Sequence, residues 1–98
     1  MTLDIKKEGE KTLATLSGRI DTTNAAQFQE AIAPLMQEKD IEIDCSAMEY
    51  TSSQGLRVFL MLQKAVSAAG GKMVLRNMQP QVKEVFDITG FSNIIKIA

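Results

Sequence analysis

Ile41-Glu42-Ile43-Asp44-Cys45 and then Tyr50-Thr51-Ser52-Ser53-Gln54-Gly55-Leu56-Arg57 carry the chain from a short apolar strand to a helix. The segment from Met48 to Gln54 is polar and reads as a loop between them. From about Ser53 to Ala69 the apolar residues recur at helical spacing. Val58, Leu62, Ala65 and Ala69 fall on one stripe, flanked by Phe59 and Val66. Arg57, Met61, Lys64 and Ala68 fall on the opposite stripe, which predicts Met61 exposed between two cations. Gly70-Gly71 then ends the helix, as glycine commonly does just past a C-terminus.

Working outward, Leu3–Lys7 and Thr12–Ile20 alternate apolar and polar residues, with Gly9-Glu10 as the turn of a hairpin. Asp21-Thr22-Thr23-Asn24 offers several N-caps for a helix over about Ala25–Gln37, with Phe28, Ile32 and Leu35 on its buried face. Pro34 predicts a kink or a tightened last turn, because it lacks a backbone donor. After Gly71, Lys72–Arg76 reads as a strand. Pro80 opens a third helix carrying Val82, Val85 and Phe86, Gly90 ends it, and Asn93–Ile97 reads as a last strand. Two strands followed by three helix–strand units predict an α/β fold in one domain, residues 1–98. Its sheet would be mixed but mostly parallel, with about five strands and three packed helices.

Composition narrows the function. The formal net charge is -1, with no basic stripe of the kind that binds nucleic acid. The chain has no histidine and a single cysteine, so His-based triads, disulfide frameworks within the chain and multi-cysteine zinc sites are excluded. Cys45, in an apolar strand, reads as a small core residue. No segment approaches the ~20 apolar residues of a membrane span. The alternating charges of the N-terminus do not form a signal peptide, so the expected compartment is the cytoplasm. No cofactor and no metal site are expected. A Ser–Lys pair for catalysis would need Lys64, roughly 16 Å beyond Ser53 at 1.5 Å per helical residue. The chain also lacks a Gly-x-Ser-x-Gly elbow and a phosphate-cradling glycine loop. An enzyme is therefore not expected.

The hydroxyl cluster Thr51-Ser52-Ser53 sits where the second helix begins. Serine at that position caps free backbone N–H groups. The same N–H groups and the positive end of the helix dipole also suit a phosphate. A phosphoserine there would add roughly 1.5 to 2 negative charges without unfolding the helix. Both readings stand on the residues alone.

Gly18-Arg19-Ile20-Asp21 and, thirty residues on, a short strand, an aromatic residue and Ser52-Ser53-Gln54-Gly55-Leu56-Arg57 occur in the order and spacing of one family. Over nearly its whole length the chain resembles a STAS domain of the anti-sigma-factor antagonist family. The resemblance implies a protein that binds a cognate anti-sigma factor acting as a serine kinase. It also implies that phosphorylation switches this binding off and that a phosphatase restores it. Ser53, two residues before Gly55, matches the phosphorylated serine. Ser52 stands where relatives carry aspartate, Gln54 where they carry a second hydroxyl residue, and Ser52 remains the alternative acceptor. Asp21, Thr22, Ser52, Ser53, Gln54, Gly55, Arg57 and Met61 are the expected partner-binding residues. Asp21 and Asp44 each end a predicted strand, where either carboxylate could approach the loop around Ser53; the plainer readings are a cap for the first helix at Asp21 and a solvated strand end at Asp44. The expected assembly is a monomer or weak dimer. The alternative is a scaffold subunit of a transport or signalling complex, in which the serine is never modified.

Overall fold

The computed structural model describes residues 1–98. The elements are β1 (Thr2–Glu8), β2 (Lys11–Ile20), α1 (Ala25–Ile32), β3 (Asp40–Thr51), α2 (Ser53–Ala68), β4 (Lys72–Arg76), α3 (Pro80–Ile88) and β5 (Lys96–Ile97). They form one five-stranded sheet in the order β1-β2-β3-β4-β5. The β1–β2 pair is antiparallel and the other three pairs are parallel. The expected mixed, mostly parallel sheet with three helices is the fold observed.

Alternation decides which sheet face is covered. Ala14 and Leu16 of β2, Ile41, Ile43 and Cys45 of β3, and Met73 and Leu75 of β4 are buried. Their neighbours Leu13, Thr15, Glu42, Asp44, Val74 and Arg76 are half-buried or exposed. Because each β–α–β unit adds its strand to the same edge, the right-handed crossovers place all three helices on one face. Their aromatic rings interlock there. Phe28 of α1 and Phe59 of α2 stand 5.1 Å apart edge to face, and Phe59 and Phe86 of α3 stand 5.5 Å apart in the same manner. On the open face Glu42 pairs with Lys11 at 3.0 Å and with Arg76. Such solvated pairs contribute little to stability.

Cys45 is fully buried, as expected, and burial pushes its thiol up to about 12, with the Asp44 charge adding to the shift. It is a core side chain without thiolate character.

Several local expectations are corrected. The first helix ends at Ile32 and tightens into a 3₁₀ segment, Ala33–Gln37, with Pro34 in its first turn. The predicted last strand, Asn93–Ile97, shortens to Lys96–Ile97 and is preceded by a 3₁₀ turn, Phe91–Asn93. Within α2, Phe59 lies at the centre of the buried face and Leu56 joins it, whereas Ala69 is exposed.

The largest difference is in β3. Residues 48–51, read as loop, continue the strand to Thr51, with Met48 fully buried. Two register shifts against β2 explain the misreading. Thr15 pairs with Asp44 but Ser17 with Ala47, and Gly18 pairs with Met48 but Arg19 with Tyr50. Each inserts one extra residue into β3 and breaks the period-2 pattern. The buried positions therefore run Ile43, Cys45, Met48, Thr51.

Candidate functional site

The site forms where β2 and β3 end and α1 and α2 begin. Ile20 pairs with Thr51, and the Ser52 amide donates to the Ile20 carbonyl at 2.8 Å. This bond fixes the start of α2 against the end of β2. Ser52 is extended at φ -86° and ψ 174°, and its Oγ accepts from the Gly55 amide at 3.3 Å. It is the helix N-cap and is only 7 % exposed.

Ser53 occupies the first helical position and is exposed. Its hydroxyl donates to the Gln54 side-chain carbonyl at 3.2 Å, a contact on the outer surface of the helix. The two adjacent serines thus have different tasks. The Ser52 oxygen is committed to the backbone, and the Ser53 oxygen faces solvent. We expect Ser52→Ala to cost about 1 kcal/mol in a denaturant titration and Ser53→Ala to leave stability within about 0.5 kcal/mol. Equal losses for both would contradict the division.

Gly55 is where α2 approaches the strand ends most closely. A Cβ added there would overlap the Thr51 hydroxyl and lie 2.8 Å from Ile20 Cγ2. The residue is therefore a packing requirement; being buried, it offers a partner no surface.

Asp21 follows β2 and is tied into a local turn. Its Oδ1 accepts from the Thr23 hydroxyl and from the Thr23 amide at 2.9 Å. These bonds hold the Asp21 carboxyl below its usual range, with the Thr23 hydroxyl contributing most. Because the folded value is depressed, the turn's stabilisation is complete above the ordinary value near 3.8 and is lost as pH falls through the folded value. Asn24 begins α1 without capping it through its side chain. That amide instead accepts from the Asp21 N–H at 2.9 Å and donates to the Arg19 carbonyl at 2.8 Å. Thr22, at the turn's tip, is exposed.

Asp44 does not join this site. It lies mid-strand, paired in register with Thr15 and Arg76, seven residues before Thr51. Its carboxylate accepts from the Ser46 amide at 2.9 Å and from Asn77 at 3.3 Å. Those bonds, the Ser46 amide first, hold its carboxyl below the usual range. The reading in which Asp44 approaches Ser53 is therefore corrected.

Met61 is also placed differently from its prediction. It is half-buried and packs against the hydrophobic core. Together with Ala25, Ala26, Gln29, Gln54, Arg57 and Val58 it lines an open groove of about 280 Å³ between α1 and α2. Gln54, Arg57 and Met61 were singled out in the sequence. Ala25, Ala26 and Gln29 were missed, since α1 residues at the helix–helix seam carry no motif. Also missed was the pairing of Arg19 with Tyr50. Their register is adjacent, and the guanidinium stacks 4.5 Å from the ring centroid. Only the bulged register brings them together.

The structure thus has an exposed hydroxyl at the start of α2, a groove whose lining mixes four apolar residues with Gln29, Gln54 and Arg57, and a stacked Arg19–Tyr50 pair at the strand ends. No group of three or more His, Cys, Asp or Glu is placed to hold a metal, and no helix is long and apolar enough to cross a membrane. The sequence matches the STAS domain family over residues 2–98. The chain belongs to the STAS domain family. This STAS domain is 34% identical over 100 residues to BtrV of Bordetella bronchiseptica, which is named as an anti-sigma factor antagonist; the match covers 100% of this chain and 86% of that protein. It is 31% identical over 99 residues to the anti-sigma-B factor antagonist of Bacillus subtilis, covering 100% of this chain and 91% of the relative. Its fold matches that of the anti-sigma factor antagonist SpoIIAA in its unphosphorylated form with a TM-score of 0.78 and 21% identity, over 99% of this chain and 88% of that one. The phosphorylated form of that Bacillus protein matches with a TM-score of 0.74 and 19% identity, over 99% and 91% of the two chains. These structural likenesses concern the fold of the STAS domain.

Proposed function

We propose that this STAS domain is an anti-sigma factor antagonist that captures its anti-sigma factor when Ser53 is unmodified and releases it when Ser53 is phosphorylated. The observation that carries the reading is the unequal pair of serines: Ser52 is held in the cap, while Ser53 Oγ stands exposed at the same helix start. The names of its curated relatives support an antagonist of this kind.

The docking surface in this reading is the groove between α1 and α2 with Ser53 and Gln54 at its rim. The partner supplies an apolar side chain to Met61 and the neighbouring alanines, and an acidic group to Arg57. Asp21 and Thr22 border the same surface from the turn after β2. The partner is also the kinase. A phosphoester forms between Ser53 Oγ and the γ-phosphorus of ATP, the bond to ADP breaks, and the hydroxyl proton passes to a base of the kinase. A phosphatase adds water, returning serine and inorganic phosphate. The helix N-terminus accommodates the added anion, since the Ser53 and Gln54 amides have no intrahelical acceptor. The fold therefore persists while the surface reverses its charge. The protein acts in the cytoplasm, alongside the transcription machinery that it regulates.

The test is affinity capture from the protein's own cells followed by addition of ATP. A retained protein that transfers phosphate to purified wild type but not to Ser53→Ala, and then lets go, supports the reading. A partner that stays bound through ATP addition would overturn it.

A further inference from the structure

Arg57 is exposed, and none of the five ion pairs in the structure includes it. It is also the only charged residue among those lining the α1–α2 groove. It stands four residues after Ser53, so the two share one helix face with Cβ atoms about 5–6 Å apart. Side chains on a helix lean toward its N-terminus, which directs Arg57 back over Ser53. An acidic group preceding a basic one by four residues is the favourable order along a helix. A phosphate offers three strong acceptor oxygens, and the planar guanidinium fork matches two of them.

We propose that phosphate on Ser53 recruits Arg57 into an intrahelical ion pair and thereby withdraws the groove's only cation. The inference rests on the phosphoserine reading above and deepens it. Phosphorylation then changes the surface twice: an anion appears at the rim, and the guanidinium that would meet an acidic partner group turns away. One guanidinium cannot serve both positions. Arg57 is a positioning residue for the phosphate and a binding residue in its absence. Dephosphorylation returns it to the groove with no change in backbone.

The experiment uses full-length chain with phosphoserine installed at position 53 during synthesis, so that no kinase is required. The second ionisation of the phosphate is followed by ³¹P NMR at low salt in wild type, Arg57→Gln and Arg57→Lys. Other charged or titratable groups near this end include Arg19, Asp21, Glu49 and Tyr50 at the strand ends, the Met1 amino group beside Gly18, and Glu30 on α1. They are common to all three proteins. A phosphate paired with Arg57 ionises at lower pH, so Arg57→Gln is expected to raise the midpoint by about 0.3 unit or more, with Arg57→Lys between the two. The difference should shrink in 0.5 M salt. Coincident midpoints in wild type and Arg57→Gln, with both proteins folded by circular dichroism, would overturn the proposal. Failure of the kinase reading would appear separately, as a partner that does not phosphorylate Ser53, and would leave the titration's answer on Arg57 standing.

Discussion

Replacing Ser53 with aspartate should weaken capture of the anti-sigma factor by about a hundredfold or more while leaving the domain folded. Position 53 is the first residue of α2, where an acidic side chain is favoured by the helix dipole. The fold should therefore gain or lose no more than about 1 kcal/mol. The partner in this account must present an acidic group to Arg57, and a second acid at the rim opposes it. Like charges brought together in an interface cost several kcal/mol, and about 2.7 kcal/mol corresponds to a hundredfold in affinity. Ser53→Ala should bind nearly as well as wild type, because the hydroxyl's one contact is with Gln54. Titration calorimetry against the captured partner reads both. Equal affinity of Ser53→Asp and wild type would remove Ser53 from the interface.

The second large effect is on stability. Phe59 is fully buried and is the middle ring of the three that join α1, α2 and α3. Truncating it removes both edge-to-face contacts and leaves a cavity that the three helices cannot close without leaving the sheet. Phe59→Ala should cost about 3–5 kcal/mol. For a domain of this size that is a fall in melting temperature of roughly 15–30 °C, against a total stability on the order of 5–15 kcal/mol. A loss below about 1 kcal/mol would mean that the aromatic stack does not hold the helical layer together.

Particular residues show what the sequence could convey. The helix–strand alternation and the glycines after the second and third helices are local signals, and the sheet order follows from the alternation because right-handed crossovers leave few topologies. Gly70 illustrates the point. Its φ of +77° and the bonds Gly70 N–H to the Ser67 carbonyl and Gly71 N–H to the Val66 carbonyl form a Schellman end, which needs glycine at that position. Ser53 was legible as part of a cluster, but its separation from Ser52 was not. Which hydroxyl caps a helix depends on where the strand before it ends, and β3 reaches Thr51 only because two bulges extend it. The same bulges hid the Arg19–Tyr50 stack. The groove between α1 and α2 was half visible: its α2 wall follows from helical periodicity, and its α1 wall depends on how two helices pack. Asp44 was misplaced for the reverse reason. Its position was read from a strand end that the molecule does not have.

The most direct measurement is intact-mass analysis and peptide mapping of the protein isolated from its own cells, with and without phosphatase treatment. The account predicts a phosphatase-sensitive phosphate on Ser53 and none on Ser52, whose oxygen is bound in the helix cap. Absence of phosphate on Ser53 across growth and stress conditions would contradict it and favour a scaffold subunit whose binding is constitutive.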